Sequence, residues 1–421
     1  MICTRSDTGI GKSCQRLIVS KTHLYYHPGT TMPSFPNTSS MRWHGLDTLR
    51  ALAIILVMLY HLNIQGLLPP YVGGVARLGW VGVDLFFVLS GFLIGSQLLK
   101  PYLSGGKLSL KEFYSRRAYR ILPAFLTVLL LYILLPAWSE APGPYAGWQY
   151  AAFTWNLLLL GYPVNRAFSH VWSLCVEEHF YLLFPLLLLF LMRKPSVWKT
   201  ALALSFITIG GMGLRAWVLH SVLQPAGDEQ GVMLMKYIYY PTYSRLDGLV
   251  MGVGLAVVRT FKVSWWARFT RHSGPLALLG LTCLLGALWL CDFDYPSSEL
   301  PCSIVFAFPL LSCGFGLLVA SAASEGSFLA RRVPGASALA TLAFSLYLTH
   351  KWVAHAVHLL LPRLTAEVGV VSSSIYAVAC LGTASLLYFT VERPFIALRM
   401  RRSSKRVPSK TEDEVRLDPA I

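Results

Sequence analysis

The stretch Leu49-Arg50-Ala51-Leu52-Ala53-Ile54-Ile55-Leu56-Val57-Met58-Leu59-Tyr60-His61 decides how this chain is read. It is too apolar to sit in water, yet it opens with a guanidinium and closes with an imidazole. Ionisable side chains inside a bilayer span are costly and mark a site. At about 1.5 Å rise per helical residue, the two groups lie about 16 Å apart along the axis. The pair therefore links one membrane face to a point past mid-depth.

Composition supports a membrane reading. Hydrophobic residues make up 55% of the 421 residues and charged residues 13%, and several apolar runs reach the roughly 20 residues a span needs. No long polar stretch divides two hydrophobic blocks, so one domain is expected over 41–398. The predicted spans are 46–66, 79–99, 121–138, 173–192, 200–220, 241–258, 274–291, 302–321, 338–361 and 371–392. The fold expected is thus all-α, a polytopic bundle of ten membrane helices. The further apolar stretch 149–161 is too short to cross and reads as re-entrant or interfacial, packed against protein.

The net charge of +16 is spread over short loops, which argues against nucleic acid as a partner. With the N-terminus in the cytoplasm and ten spans, the cytoplasmic segments collect 29 of the 36 Lys and Arg residues. That asymmetry obeys the positive-inside rule and puts both termini on the cytoplasmic side. The loop 291–301 carries Asp292, Asp294 and Glu299 without a basic residue and reads as external. Residues 1–40 are polar, lack a signal-peptide core and read as a disordered extension. Met32 and Met41 are candidate start residues. The mixed-charge tail 399–421 reads as disordered. No Cys-x-x-Cys spacing occurs. Cys291 and Cys302 flank the external loop and are one candidate pair.

Several polar side chains share one level, the outer third of the predicted bundle. They are His61, Asp84, Ser173, Glu177, Arg245 and Asp247. A histidine held by a carboxylate serves as general base towards a hydroxyl, and Asp84 matches His61 in depth. The competing reading is a helix–helix hydrogen bond. Ser173 and Glu177 stand at i and i+4 on one helix face, suited to acceptor binding or proton handling, or to an N-terminal cap. Glu178 points elsewhere. Arg245 and Asp247 join them as candidate substrate contacts, and so does His350, near the middle of 338–361. His355 and His358 follow on the same helix without an acidic or thiol companion, so no metal site is expected.

At the other level lie Arg50 and the trio Arg116, Arg117 and Arg120. A planar guanidinium suits phosphate, although any cytoplasmic loop collects arginines. Gly248, Gly252 and Gly254 follow no strand, which excludes a nucleotide loop. They fit a helix-packing face.

These motifs together resemble the acyltransferase-3 family of bacterial integral-membrane O-acyltransferases. The resemblance rests on Leu46-Asp47-Thr48-Leu49-Arg50 through Tyr60-His61 and on Gly82-Val83-Asp84-Leu85-Phe86-Phe87-Val88-Leu89-Ser90-Gly91-Phe92. It continues in Arg117-Ala118-Tyr119-Arg120-Ile121-Leu122-Pro123, Trp172-Ser173-Leu174-Cys175-Val176-Glu177-Glu178, Ser345-Leu346-Tyr347-Leu348-Thr349-His350 and Glu392-Arg393-Pro394-Phe395. They come in family order over residues 44–398. The resemblance implies a multi-pass protein of the bacterial inner membrane. It implies transfer of an acyl group, often acetyl, from cytoplasmic acyl-CoA to a hydroxyl of a glycan or glycolipid, with no metal. The family's essential Arg and His map onto Arg50 and His61, its paired arginines onto Arg117 and Arg120, and its Ser and Glu onto Ser173 and Glu177.

The mechanism expected has coenzyme A phosphates on Arg50, Arg117 and Arg120, with His61 as base. Glu177 and Asp84 orient His61 or the sugar. Direct transfer and an acyl intermediate on Ser173 both stay open. Larger relatives carry a C-terminal extracytoplasmic domain for which this chain ends too soon, so completion by a partner transferase is also open. The rival class is a transporter or flippase for a lipid-linked glycan. No repeated halves of the transporter kind are seen.

Overall fold

The computed structural model describes residues 43–103, 105–141, 147–158, 167–193, 196–297, 299–365 and 367–404. The 1–40 extension and residues 405–421 lie outside them. The first residues of the expected tail are the last turns of a helix that ends at Ser404. Among the described residues there is no strand.

The helices in chain order are α1 (His44–Ile64), α2 (Pro70–Arg77), α3 (Val81–Leu103), α4 (Leu110–Leu134), α5 (Gly147–Ala151), α6 (Trp172–Met192), α7 (Val197–Val218) and α8 (Gln230–Leu234). After them come α9 (Asp247–Phe261), α10 (Val263–Thr270), α11 (Ser273–Leu290), α12 (Pro301–Ala322), α13 (Ala336–Leu360), α14 (Pro362–Thr365), α15 (Val370–Leu387) and α16 (Arg393–Ser404). Eight helical segments among the described residues are long and apolar enough to cross a membrane. A ninth follows if α9 and α10, bent by 114°, form one span. The sequence expectation of ten also counts α13. It is 25 residues long, but Thr349, His350, Lys351, His355 and His358 dilute its apolar character. Ser345, Thr349, His350 and Lys351 are buried, so these polar groups of the helix face the protein, while His355 is half-buried and His358 exposed.

Boundaries moved for local reasons. α4 begins at Leu110, well before the expected 121, because Ser109 caps it by accepting from the Glu112 backbone N–H at 3.3 Å. This is the Ser-x-x-Glu start signal of a helix, and it carries Arg116, Arg117 and Arg120 onto the helix itself. α9 begins at Asp247 because Thr242–Ser244 forms a separate tight turn. The stretch from 147 begins with α5 and continues as the turn Trp155–Leu157, too short to cross. The buried Asn156 side chain donates to the Tyr240 carbonyl at 3.1 Å and the Thr242 hydroxyl at 2.9 Å. Residues 159–161 lie outside the described chain. Cys291 and Cys302 are both free.

Lipid tails are as apolar as leucine, so close packing rather than water exclusion holds such helices together. A very close seam among the described residues is α3 against α9. A Cβ on Gly91 would stand 2.1 Å from the Leu249 carbonyl oxygen, and one on Gly252 would stand 2.2 Å from that of Val88. Only glycine permits that approach. Gly248 and Gly252 thus lie on the packing face expected from the sequence, whereas a Cβ on Gly254 would face Leu204 of α7 at 3.7 Å.

Candidate active site

α1 and α13 pack side by side, which brings His61 to His350. The Nδ1–H of His350 points at the carbonyls of Leu346 and Tyr347, each at 3.0 Å. A carbonyl only accepts, so the proton of the neutral ring sits on Nδ1 and Nε2 is an acceptor. That Nε2 lies 3.0 Å from Nδ1 of His61, which also faces the Val57 carbonyl at 3.0 Å. Both neighbours of His61 Nδ1 are therefore acceptors, and its proton is held there. His61 Nε2 is left with a lone pair. The arrangement is what a general base requires.

His61 lines a cavity of about 90 Å³ together with Tyr60, Trp80, His170, Trp172, Tyr239, Tyr240, Tyr295, Tyr347 and Lys351. Aromatic faces carrying hydroxyl tips give a wall that is apolar across its area and polar at points. His170 was not anticipated. It is buried, its ring centroid lies 5.9 Å from that of His61 and 5.1 Å from that of His350, and neither ring nitrogen makes a hydrogen bond. It is placed by Phe168, a buried residue in the left-handed region at φ 63°. A bulky side chain seldom adopts that backbone. Stacking on Phe125 and Tyr150 and a tilted contact with Tyr132 hold it there.

Ser173 reaches the site through Tyr347, whose hydroxyl lies 2.9 Å from Ser173 Oγ and donates to the His170 carbonyl. Glu177, one turn further along α6, does not touch His61. Its Oε1 accepts from Ser90 at 2.7 Å and its Oε2 from Tyr181 at 2.8 Å. Asp84 is likewise not the partner of His61. Both its oxygens accept from Arg245 Nη2, at 2.9 and 3.0 Å. Matching depth did not distinguish these alternatives, because α9 packs more closely on α3 than α1 does.

Arg245 and Asp247, expected on the substrate, are both committed to buried ion pairs. Asp247 is gripped in bidentate fashion by Arg215, at 2.8 and 3.1 Å. The Arg245 guanidinium lies 3.8 Å from the ring centre of Phe308, 4.6 Å from Tyr239 and 5.3 Å from Trp172. Tyr239 and Trp172 line the cavity, so this pair backs its wall. Arg215 was visible in the sequence as a charge within a span, but its partner was not.

At the other end of the helices a basic group assembles. Arg50, Arg117 and Arg120 lie within electrostatic reach of one another. Asp47 approaches Arg50 at 3.6 Å, and the Arg117 guanidinium stacks 4.5 Å from the Tyr181 ring centre. Glu392, on a wide helical turn after α15, accepts from Ser345 at 3.0 Å and faces Arg120. Its motif was noted in the sequence, but a role beside Arg120 was not. Ser173, Glu177 and Tyr181 mark three successive turns of α6, about 6 Å apart. Glu177 thus stands between the histidine level and the arginine level. None of Arg50, Arg117, Arg120 or Glu177 lines the 90 Å³ cavity. Among the described residues no group of three His, Cys, Asp or Glu side chains is arranged to hold a metal ion.

The family model for the acyltransferase domain, acyltransferase-3, matches residues 43–390. The chain belongs to the acyltransferase-3 family. Its match covers the basic group, the histidines and the cavity wall alike. This acyltransferase-3 chain is 36% identical over 228 residues to O-acetyltransferase OatA of Staphylococcus aureus strain NCTC 8325 / PS 47, and equally to OatA of strain COL. The similarity covers 51% of this chain and 34% of either relative, so the chain spans about a third of their length. No solved structure matches this family member.

Proposed function

We propose that this protein is a membrane O-acyltransferase that moves an acyl group, acetyl in the first instance, from acyl-CoA to a hydroxyl of a glycan or glycolipid. One observation carries the reading. His61, a lining residue of the cavity, has Nδ1 3.0 Å from both His350 Nε2 and the Val57 carbonyl, a contact pair that favours the tautomer with the proton on Nδ1 and Nε2 basic. The aromatic wall suits the apolar faces of a sugar ring. The arginine group suits the phosphates of coenzyme A, because guanidinium forks match phosphate oxygens. Family membership and the O-acetyltransferase relatives support the chemistry.

The order of events follows from the two levels. Arg50, Arg117 and Arg120 hold the donor's phosphates, and its acyl arm runs past Glu177 towards His61, a path of about 16 Å along α1. The acceptor lies in the cavity. Its hydroxyl gives its proton to His61 Nε2 as the oxygen attacks the thioester carbonyl. Ser173, hydrogen-bonded to Tyr347, is the candidate carrier if an acyl-enzyme forms. The concentration of basic residues on one side supports a cytoplasmic reading for the arginine end and both termini, in a bacterial inner membrane.

The test uses the purified full chain in lipid nanodiscs, with acetyl-CoA and a methyl glycoside as substrates. Wild type is expected to release coenzyme A thiol and yield the O-acetyl glycoside. His61→Ala is expected to insert normally and do neither. Full activity in His61→Ala would refute the assignment of the base.

A further inference from the structure

One charge at the His61 end has no task in this scheme. Lys351 follows His350 on α13, and its side chain lines the same cavity as His61. It is almost wholly buried, with 8% of the side chain exposed. Its counter-ion comes from the turn after α4, where Glu140 brings Oε1 to 2.8 Å from Nζ. Tyr132 donates to the other Glu140 oxygen at 3.3 Å. Two residues before Glu140, Trp138 stacks on Trp352, with ring centres 5.7 Å apart. The turn is therefore fastened to α13 at two adjacent residues, 351 and 352.

Stability alone gives no reason for an ion pair here. A buried pair seldom outweighs its desolvation, and a packed apolar pair of similar size holds as well or better. Location does give a reason. Glu140 keeps the pair neutral before reaction and holds the ammonium against the cavity wall beside the base. An ammonium has three donors, and its ion pair with a single Glu140 oxygen occupies one side of it. A fixed cation in a dry site contributes most where negative charge appears during the reaction.

Taking the acyl-transfer reading as its premise, we propose that Lys351 stabilises the oxyanion formed at the thioester carbonyl, and that Glu140 positions the lysine. As the acceptor oxygen bonds to the carbonyl carbon, its proton moves to His61 Nε2. The carbonyl π pair moves to oxygen, which becomes an oxyanion facing Lys351 Nζ. Collapse re-forms the carbonyl and breaks the carbon–sulfur bond. The thiolate leaves as thiol with the proton from His61.

Single removal of Lys351 leaves Glu140 buried without a partner, so the decisive variant is the double Lys351→Met, Glu140→Leu, which removes both charges. Nanodisc preparations are assayed for thiol release from acetyl-CoA with methyl glucoside, and their unfolding is followed in parallel. The double variant is expected to unfold as wild type does, to keep its KM for both substrates, and to lose about 100-fold or more in kcat, the scale of losing an oxyanion donor. Glu140→Gln is expected to lower kcat about tenfold at unchanged KM, and Lys351→Arg to retain part of the rate. A folded double variant with wild-type kcat overturns the lysine's role. So does one whose only change is a higher KM for the glucoside. A wild-type protein that releases no thiol overturns the acyl-transfer reading itself.

Discussion

His61 Nδ1 and His350 Nε2 meet at 3.0 Å, with the proton held on His61 because His350 gives its own to the carbonyls of Leu346 and Tyr347. His350 thereby selects the tautomer that leaves His61 Nε2 basic. In the triad logic of hydrolases, a wrong tautomer costs several orders of magnitude in kcat. His350→Leu is expected to lower kcat about 100-fold or more, with the KM for acetyl-CoA unchanged. Steady-state thiol release measures it. An unchanged kcat would show that Val57 alone suffices to orient the ring.

The arginine group makes a separable prediction. Charge-assisted hydrogen bonds contribute about 1.5–3 kcal/mol each. Arg117→Gln and Arg120→Gln are each expected to raise the KM for acetyl-CoA about tenfold or more. With acetyl-pantetheine, which lacks the nucleotide phosphates, the same variants should match wild type. An equal loss with both donors points to a structural defect instead.

Asp84 and Arg245 form a pair at the back of the cavity, sealed by Phe308, Tyr239 and Trp172. Removing one partner of a buried pair costs about 3–5 kcal/mol. Asp84→Ala should lower the yield of folded protein from detergent extraction. Asp84→Leu combined with Arg245→Met should recover most of it. Fluorescence-detected size exclusion gives the comparison, and equal profiles for single and double variants would contradict it.

Glu140 lies outside the spans and has a signed pH dependence. Burial pushes its carboxyl up, but Lys351 and hydrogen bonds outweigh burial and hold it below the usual carboxylate range. A depressed carboxyl lends stability above its unfolded value, near about 4.3, and loses it as pH falls through the folded value. Wild type should lose thermal stability below about pH 4.3 more steeply than Glu140→Gln. Parallel curves would remove Glu140 from that account.

The α3–α9 seam gives a steric test. Gly252→Ala would drive a Cβ to 2.2 Å from the Val88 carbonyl oxygen, whereas at Gly254 the nearest atom, on Leu204, is 3.7 Å away. Gly252→Ala is expected to abolish the folded monodisperse species, and Gly254→Ala to preserve it. Size exclusion in detergent reads both.

Much of this was legible in the residues. Arg50 and His61 mark two depths because helical rise is a local property, and Gly248 and Gly252 of α9 announce a packing face. The motif order announces the family. Other features were not legible for stated reasons. His170 sits before a span, where a histidine carries no periodic signal, and its placement depends on the unusual backbone of Phe168. Lys351 carries no signal of its own in the residues because its partner, Glu140, lies 211 positions earlier in the chain.

Residue order alone settled that the chain is a bundle of apolar helices with basic groups at one level and a histidine at another. Rise per residue and hydropathy need no neighbours to act. Which group answers which was decided only by packing. Asp84 faces Arg245 rather than His61, and Glu177 faces Ser90 and Tyr181, because depth is one coordinate and partnership needs three. The missing two, azimuth and adjacency, exist only once glycine seams and aromatic stacks have chosen each helix's neighbours.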